Sequence, residues 1–333
     1  MRFEELSVIT QSILDSKSAN EYVSCAEALS LFYKDITGHM THSAMNGAVI
    51  RGGVALSSLG AADCVDDHLR TTFFIKGVHT ALTRLFDKNP GKPVNVLYAG
   101  CGPYATLLLP LLPLFPSTAI NAIVLDINSP SLECVQNIIK AVGLQAHQLK
   151  LECADATTFT KPDDFEIDLC ISETMHYALT SEPQVAIIKN LAPQLPAHGI
   201  LIPQQISIDL AFSFFSKEPS LREGNHIKAA ATASYPLRVP LGRLFTISKV
   251  HSPHVKDGKF QSGFYTIPEN FENCPDICLY TEVLIIEGIS LKTAESYITN
   301  PYCVASLWNY SESESVRLTY DFSEIPRWYC DPG

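Results

Sequence analysis

The stretch Val96-Leu97-Tyr98-Ala99-Gly100-Cys101-Gly102-Pro103-Tyr104 carries the strongest fold signal in this chain. An apolar strand runs directly into a Gly-x-Gly loop and then into a segment with a helical pattern. Glycine lets the backbone turn sharply and approach a ligand without a Cβ clash, and Pro103 suits the first position of a helix, where no N–H is needed. Alone, this pattern fits either a tight strand–helix turn or a ligand-binding loop, so the surrounding sequence has to distinguish them.

Strands and helices alternate along the chain around this loop. Helical patterns cover about 104–115, 130–142 and 183–191. Apolar strands are predicted at Val94–Ala99, Ala122–Asp126, Leu149–Cys153, Ile167–Ile171 and Gly199–Pro203. Such alternation predicts a parallel sheet covered by helices on both faces. Pro110 and Pro113 should kink or shorten the first of these helices.

The flanking regions have different patterns. Residues 1–88 show helical periodicity, interrupted at about 37–53 by a glycine-punctuated stretch in which His39 and His42 are either surface residues or part of a lid. After Pro203 the alternation stops, and β-type stretches predict a barrel or sandwich. We therefore expect a helical N-terminal cover at 1–88, a Rossmann-like domain at 89–204 and a β-rich domain at 205–333.

Composition narrows the classes of partner. The chain has 333 residues, of which 46% are hydrophobic and 18% charged, and its formal net charge is −11. This acidic balance, without a basic stripe, argues against nucleic-acid binding. No run approaches the ~20 apolar residues of a membrane helix, and the start lacks a secretory apolar core, so we expect a cytoplasmic protein. The scattered cysteines lack zinc spacing, so no metal is expected.

Acidic residues stand at the ends of two further predicted strands. Asp126 lies 24 residues beyond Gly102, and Asp155 follows the third strand. Ligands of open α/β sheets bind at the carboxyl ends of the strands, where Asp126 could accept hydrogen bonds from ribose hydroxyls and Asp155 from an adenine amino group. A helix-capping role for Asp126 and a plain loop position for Asp155 are the alternatives.

The strand leading into Ala-Gly-Cys-Gly, the acid ending strand two and the Ala-Asp-Ala after strand three together resemble the class I S-adenosylmethionine-dependent methyltransferases. The resemblance implies an α/β, Rossmann-like domain of the seven-stranded methyltransferase type, with a helical N-terminal cover and a β-rich C-terminal region. It also implies S-adenosyl-L-methionine as cofactor, held by Gly100, Gly102, Asp126 and Asp155.

A narrower resemblance is to the protein arginine methyltransferases. Glu173 and Glu182 resemble the two glutamates of that family's substrate loop, and Asp66–Thr71 resembles its Asp-x-x-Arg-Thr helix. The family implies that Glu173 and Glu182 grip a guanidinium, that Arg70 binds the cofactor carboxylate, and that a homodimer is possible. The chain departs from the family at Thr174-Met175-His176, where Trp-Met-Gly is usual, and only Ser306–Asn309 approaches the family's Thr-His-Trp loop.

The departures affect the choice of acceptor. His176 adds an imidazole that could act as a base for an amine or hydroxyl, or could serve as a hydrogen-bonded scaffold. The leading hypothesis is methyl transfer to a nitrogen of a small cationic metabolite, a guanidine or an amine. Two alternatives remain open: other chemistry of the same cofactor, which releases methylthioadenosine, and a non-catalytic binding protein.

Overall fold

The computed structural model describes residues 2–38, 47–221, 236–251, 258–311 and 314–333. Four helices and a short hairpin precede the main sheet. In chain order they are α1 (Arg2–Asp15), α2 (Ala19–Thr37), β1 (Ala48–Ile50), β2 (Gly53–Ala55), α3 (Ser58–Asp63) and α4 (His68–Lys88). The capping box formed by Ser18 and Glu21 starts α2, and Asp67 caps α4. In the described residues, no helix is both long and apolar enough to cross a membrane.

A parallel sheet forms the centre of the molecule. Its strands are β3 (Val94–Ala99), β4 (Ile120–Asp126), β5 (Gln148–Cys153), β6 (Leu169–Ser172) and β7 (Ile200–Ile202), with α5 (Ser129–Val142) and α6 (Gln184–Leu191) between them. The strand order is β5-β4-β3-β6-β7. The chain therefore proceeds outward from β3 on one side and then continues with β6 on the other. This reversal leaves a crevice at the carboxyl ends of β3 and β6.

The α/β class with a central parallel sheet is confirmed, and this sheet contains five strands in the described part of the chain. The helix predicted over 104–115 is wrong: turns lead into a 3-10 segment at Leu109–Leu114. Pro110 and Pro113 remove backbone donors there, and Ala105 has a left-handed φ of +42°.

The C-terminal region is β-rich, as predicted. In chain order its strands are β8 (Gln205–Ser213), β9 (Val239–Ser248), β10 (Lys259–Thr266), β11 (Asp276–Ile286), β12 (Ile289–Leu291), β13 (Tyr302–Ser306), β14 (Ser315–Asp321) and β15 (Arg327–Pro332). They form two antiparallel sheets, one built around β8 and β11 and the other ordered β10-β14-β15. The β-type sequence stretches at 206–214, 244–250, 279–286 and 316–322 correspond to β8, β9, β11 and β14. The pattern missed β10, β12, β13 and β15, because most side chains on these strands are partly or fully exposed.

The N-terminal helices pack on both other regions. Tyr33 of α2 stacks on Tyr104 after the glycine loop, with ring centroids 4.8 Å apart. Asp67, ahead of α4, accepts hydrogen bonds from the Ser296 hydroxyl (2.6 Å) and the Tyr297 amide (2.9 Å). The helices are therefore tied to the C-terminal strands as well as to the sheet. The three-part division at 88/89 and 204/205 stays a prediction.

Helix α4 approaches β11 closely at Gly77. A Cβ added there would lie 2.4 Å from Cγ2 of Ile285. Alanine normally stabilises a helix interior by about 1 kcal/mol relative to glycine. We expect Gly77→Ala to have the opposite effect, with a loss of roughly 1–3 kcal/mol from overpacking.

Urea unfolding checks this prediction. Gly263→Ala is the matched control, because a Cβ at Gly263 meets no atom within 4 Å. An unfolding free energy for Gly77→Ala equal to or above that of the wild type would contradict close α4–β11 packing.

Candidate active site

The glycine loop lies at the crevice between β3 and β6. The amides of Gly100 and Cys101 both donate to the Leu125 carbonyl at 3.0 Å. Gly100 has a φ of +71°, and a Cβ there would lie 2.2 Å from Cγ2 of Thr174. Glycine is therefore required at this position both for its backbone conformation and for the approach of the loop that follows β6.

Asp126 closes the other side of the glycine loop. Its Oδ2 accepts from the Gly102 amide and its Oδ1 from the Asn128 amide, each at 2.8 Å. Burial raises the pKa of Asp126, and these two backbone hydrogen bonds oppose the rise. The carboxylate thus sits at the strand end, adjacent to the turn, as the strand pattern predicted.

Arg70 and Glu173 form a buried ion pair. The Arg70 Nε donates to Oε2 of Glu173 at 2.7 Å, and Nη2 contacts the same oxygen. The side chains are 13% and 5% exposed. Arg70 lies on α4 and Glu173 directly after β6, so the pair joins the helical cover to the sheet. The sequence placed both residues in the site but did not predict this contact between them.

The second carboxylate oxygen of Glu173 is available for a ligand. Oε1 is buried and accepts no hydrogen bond within the described part of the chain. Burial raises the pKa of Glu173, while the neighbouring Arg70 charge opposes the rise. A buried acceptor without a partner is costly, so Oε1 is suited to a donor that arrives with a bound molecule.

Glu182 stands beside this pair. Burial, with the negative charge of Glu173 as the next cause, raises the pKa of Glu182 to about 8, although Arg70 opposes the shift. A cation placed between the two carboxylates would lower the pKa of Glu182 again, because an opposite charge favours the ionised form.

Gln184 fixes the backbone on both sides of Glu173. Its Oε1 accepts from the Thr174 amide (2.7 Å) and hydroxyl (2.9 Å), and its Nε2 donates to the Ser172 carbonyl (2.9 Å). The side chain is fully buried. The role of Gln184 is not predictable from the sequence, since a glutamine at the start of a predicted helix carries no signal of its partners.

These residues surround one cavity. It encloses about 910 Å³ of space between atoms, part of it open to solvent. Arg70, Gly100, Gly102, Asp126, Glu173 and Glu182 all line it. Among the residues that the structure describes, its charged lining consists of three acids and one base. Ile50 and Ala55 of the hairpin also line the cavity, as does Cys64, whose thiol pKa burial raises to about 11.

Two predicted site residues do not line this cavity. The Asp155 Oδ1 accepts from the amide (2.8 Å) and hydroxyl (2.7 Å) of Thr157, and only its neighbours Ala154 and Ala156 reach the wall. The His176 Nδ1 is 2.9 Å from the Thr180 hydroxyl, and burial and the Arg70 charge lower the pKa of its ring. His39 and His42 lie outside the described residues.

The overall fold is similar to that of protein arginine methyltransferases of known structure. One similar structure is PRMT1 of Trypanosoma brucei, solved as an enzyme–prozyme heterotetrameric complex with AdoHcy. The identity is 12%, the match covers 80% of this chain and 96% of that chain, and the TM-score is 0.51.

A second similar structure is protein arginine methyltransferase 10 of Arabidopsis thaliana, solved in an open conformation. It is 11% identical, the match covers 81% of this chain and 95% of that one, and the TM-score is also 0.51. At these identities the likeness establishes the fold. No protein-family model matches the sequence, and no curated protein matches it.

The raised pKa of Glu182 predicts a pH dependence of stability. Its folded pKa is about 8, against an ordinary value of 4.5, so the folded protein binds more protons than the unfolded chain between these values. Glu182 therefore stabilises the fold fully below its unfolded pKa, and this contribution is lost as the pH rises through about 8.

Urea unfolding of the wild type and of Glu182→Gln between about pH 5 and pH 9 measures this loss. We expect the wild type to lose stability relative to the variant across that interval. Glu287→Gln is the control, because that side chain is 86% exposed. Parallel curves for wild type and Glu182→Gln would show that Glu182 ionises normally.

Proposed function

We propose that this protein is an S-adenosyl-L-methionine-dependent methyltransferase that acts on a nitrogen of a small cationic metabolite, a guanidine or an amine. The observation that carries the proposal is the unpartnered, buried Oε1 of Glu173 on the wall of a cavity that also holds Glu182. Two carboxylates facing one space provide the acceptors that a planar cationic group with several N–H donors requires.

The cavity residues fit the cofactor on the other side of the crevice. Gly100 and Gly102 leave room for close backbone approach, and Asp126 would accept from the ribose hydroxyls. Arg70 would bind the cofactor carboxylate through donors not used by Glu173. Asp155 remains a candidate for the adenine amino group, since its neighbours reach the wall. When bound, the cofactor would supply an electrophilic methyl group on its sulfonium.

The carboxylates would activate the acceptor by position and charge. A guanidinium stays protonated at any working pH and is a poor nucleophile. Glu173 and Glu182 would hold it by hydrogen bonds, localise its charge and direct one nitrogen at the methyl group. Alignment of the reacting atoms can supply much of the rate. For an amine acceptor, His176 stays the candidate base that the sequence suggested, although its side chain contacts the Thr180 hydroxyl and does not line the cavity.

Charge supports a cationic acceptor. The described lining residues include three carboxyl groups and one guanidinium, and an arriving cation would favour the ionised form of Glu182, whose pKa is raised to about 8. The chain as a whole carries −11. A cation therefore enters a field of favourable sign. We extend the proposal to a cytoplasmic protein that forms a homodimer; the Trypanosoma brucei neighbour is also oligomeric, as an enzyme–prozyme heterotetramer.

Product analysis tests the reaction class. The purified protein is incubated with S-adenosylmethionine and with free arginine, an arginine-containing peptide or a primary amine. We expect S-adenosylhomocysteine and a methylated small acceptor. Methylthioadenosine would instead indicate cleavage of the aminocarboxypropyl arm. Methylation of the peptide alone would overturn the small-metabolite assignment, and failure to bind the cofactor in calorimetry would favour a non-catalytic protein.

Glu173→Gln separates acceptor activation from cofactor binding. We expect kcat to fall by ~100-fold or more, since the variant lacks the negative charge that would stabilise the cationic acceptor during methyl transfer. The affinity for S-adenosylhomocysteine should change little. Asp126→Ala should do the reverse, weakening cofactor affinity most. Glu287→Gln, on an exposed side chain, controls for the loss of one charge. Collapse of cofactor binding in Glu173→Gln, with turnover per bound complex retained, would show that its assigned role is wrong.

A further inference from the structure

The loop between the two glutamates has an unusual backbone. Ala178, Leu179 and Ser181 have φ values of +53°, +57° and +65°. None of them is glycine, and left-handed conformations cost energy for residues with a Cβ. Such conformations persist only where surrounding structure over-determines them. Glu182 follows directly, so the path of this loop sets where its carboxylate lies.

Each of these three residues has its carbonyl held by a donor from another part of the chain. The Trp328 Nε1 donates to the Ala178 carbonyl at 2.8 Å, and the Tyr320 hydroxyl donates to the Leu179 carbonyl at 2.6 Å. The Val54 amide of the N-terminal hairpin donates to the Ser181 carbonyl at 2.8 Å.

Two loop amides are also held from outside. The Ala178 amide donates to the Thr281 hydroxyl at 3.0 Å, and the Ser181 amide donates to the Pro326 carbonyl at 2.8 Å. Most of these contacts come from the C-terminal strands and the turn between β14 and β15. The loop that carries Glu182 is thus shaped largely from outside the parallel sheet.

The two aromatic donors are rigid. Tyr320 of β14 is fully buried and Trp328 of β15 is 5% exposed. Their ring centroids lie 4.7 Å apart, and Phe245 of β9 packs edge-on against both. A donor fixed in a packed aromatic cluster can hold a carbonyl in place without losing much side-chain entropy on binding.

We propose that Tyr320 and Trp328 are positioning residues for the reaction, which hold the strained 178–181 backbone so that Glu182 faces Glu173 across the acceptor space. They act through Ala178 and Leu179 and do not line the cavity. The inference rests on the proposed function for its catalytic consequence, while the holding of the loop can be measured without it.

Tyr320→Phe removes one donor without changing the ring, and Trp328→Phe removes the other with a loss of volume. Matched controls exist for both. Tyr310→Phe removes a hydroxyl that donates to the Cys330 carbonyl on the same strand β15, and Tyr329→Phe changes an aromatic side chain of β15 that is 37% exposed. All are compared in the full-length chain after thermal unfolding confirms that each is folded.

Three readouts follow. Hydrogen exchange over residues 174–183 should be faster in Tyr320→Phe and Trp328→Phe than in either control. The pKa of Glu182, from carbon NMR with Glu182→Gln for assignment, should fall toward its ordinary value as the loop admits water. With a working acceptor, kcat should fall roughly ten-fold in each variant, because each variant leaves one buried carbonyl without its hydrogen-bond donor. The affinity for S-adenosylhomocysteine should be retained.

Unchanged loop exchange together with an unchanged Glu182 pKa in folded Tyr320→Phe would overturn the proposal. So would equal losses of kcat in the two variants and their controls, since these would reflect general destabilisation. A wild-type protein without any methyl transfer would overturn the proposed function alone, because the exchange and titration measurements would still show whether the aromatic pair holds the loop.

Discussion

A buried ion pair joins Arg70 on α4 to Glu173 at the end of β6. Two charges removed from water are unfavourable unless each is well paired, and loss of one partner would leave the other uncompensated. The pair therefore requires the helical cover to sit on the carboxyl edge of the sheet. Asp67 reinforces this requirement, because it caps α4 and also binds Ser296 and Tyr297 of the C-terminal region.

The same pair organises the chemistry of the cavity. Arg70 engages one oxygen of Glu173 and leaves Oε1 for a ligand. Burial and, after it, the Glu173 charge raise the pKa of Glu182, so the cation that we propose as acceptor would favour its ionised form. Cofactor and acceptor would thus be held on opposite sides of Glu173, with Gly100 and Asp126 on the cofactor side.

The C-terminal strands complete the site without entering it. Tyr320 and Trp328 hold the carbonyls of a left-handed loop, and Gln184 holds the backbone on both sides of Glu173. The first glutamate is positioned from within the α/β region, and the second is positioned largely by the β-rich region. A chain of this fold can therefore couple its acceptor site to regions that are distant in sequence.

Local pattern was sufficient for the five strands of the parallel sheet, for α5 and α6, and for the glycine loop with Asp126, because burial and turn chemistry leave periodic and compositional marks. The resemblance to the arginine methyltransferases placed Arg70, Glu173 and Glu182 in one site, and all three line the cavity. The prolines after Pro103 predicted a kinked or shortened helix, and the structure has turns and a 3-10 segment there.

Only the tertiary structure determined which partners these residues take. The Arg70–Glu173 contact spans 103 residues and the Trp328–Ala178 contact 150, and no local pattern encodes such pairings. Left-handed φ values at Ala178, Leu179 and Ser181 run against local preference and exist because distant donors impose them. Asp155 lies just after a strand, as the sequence predicted. Its carboxylate, however, accepts a hydrogen bond from the nearby Thr157 amide, and the strand pattern did not predict this contact.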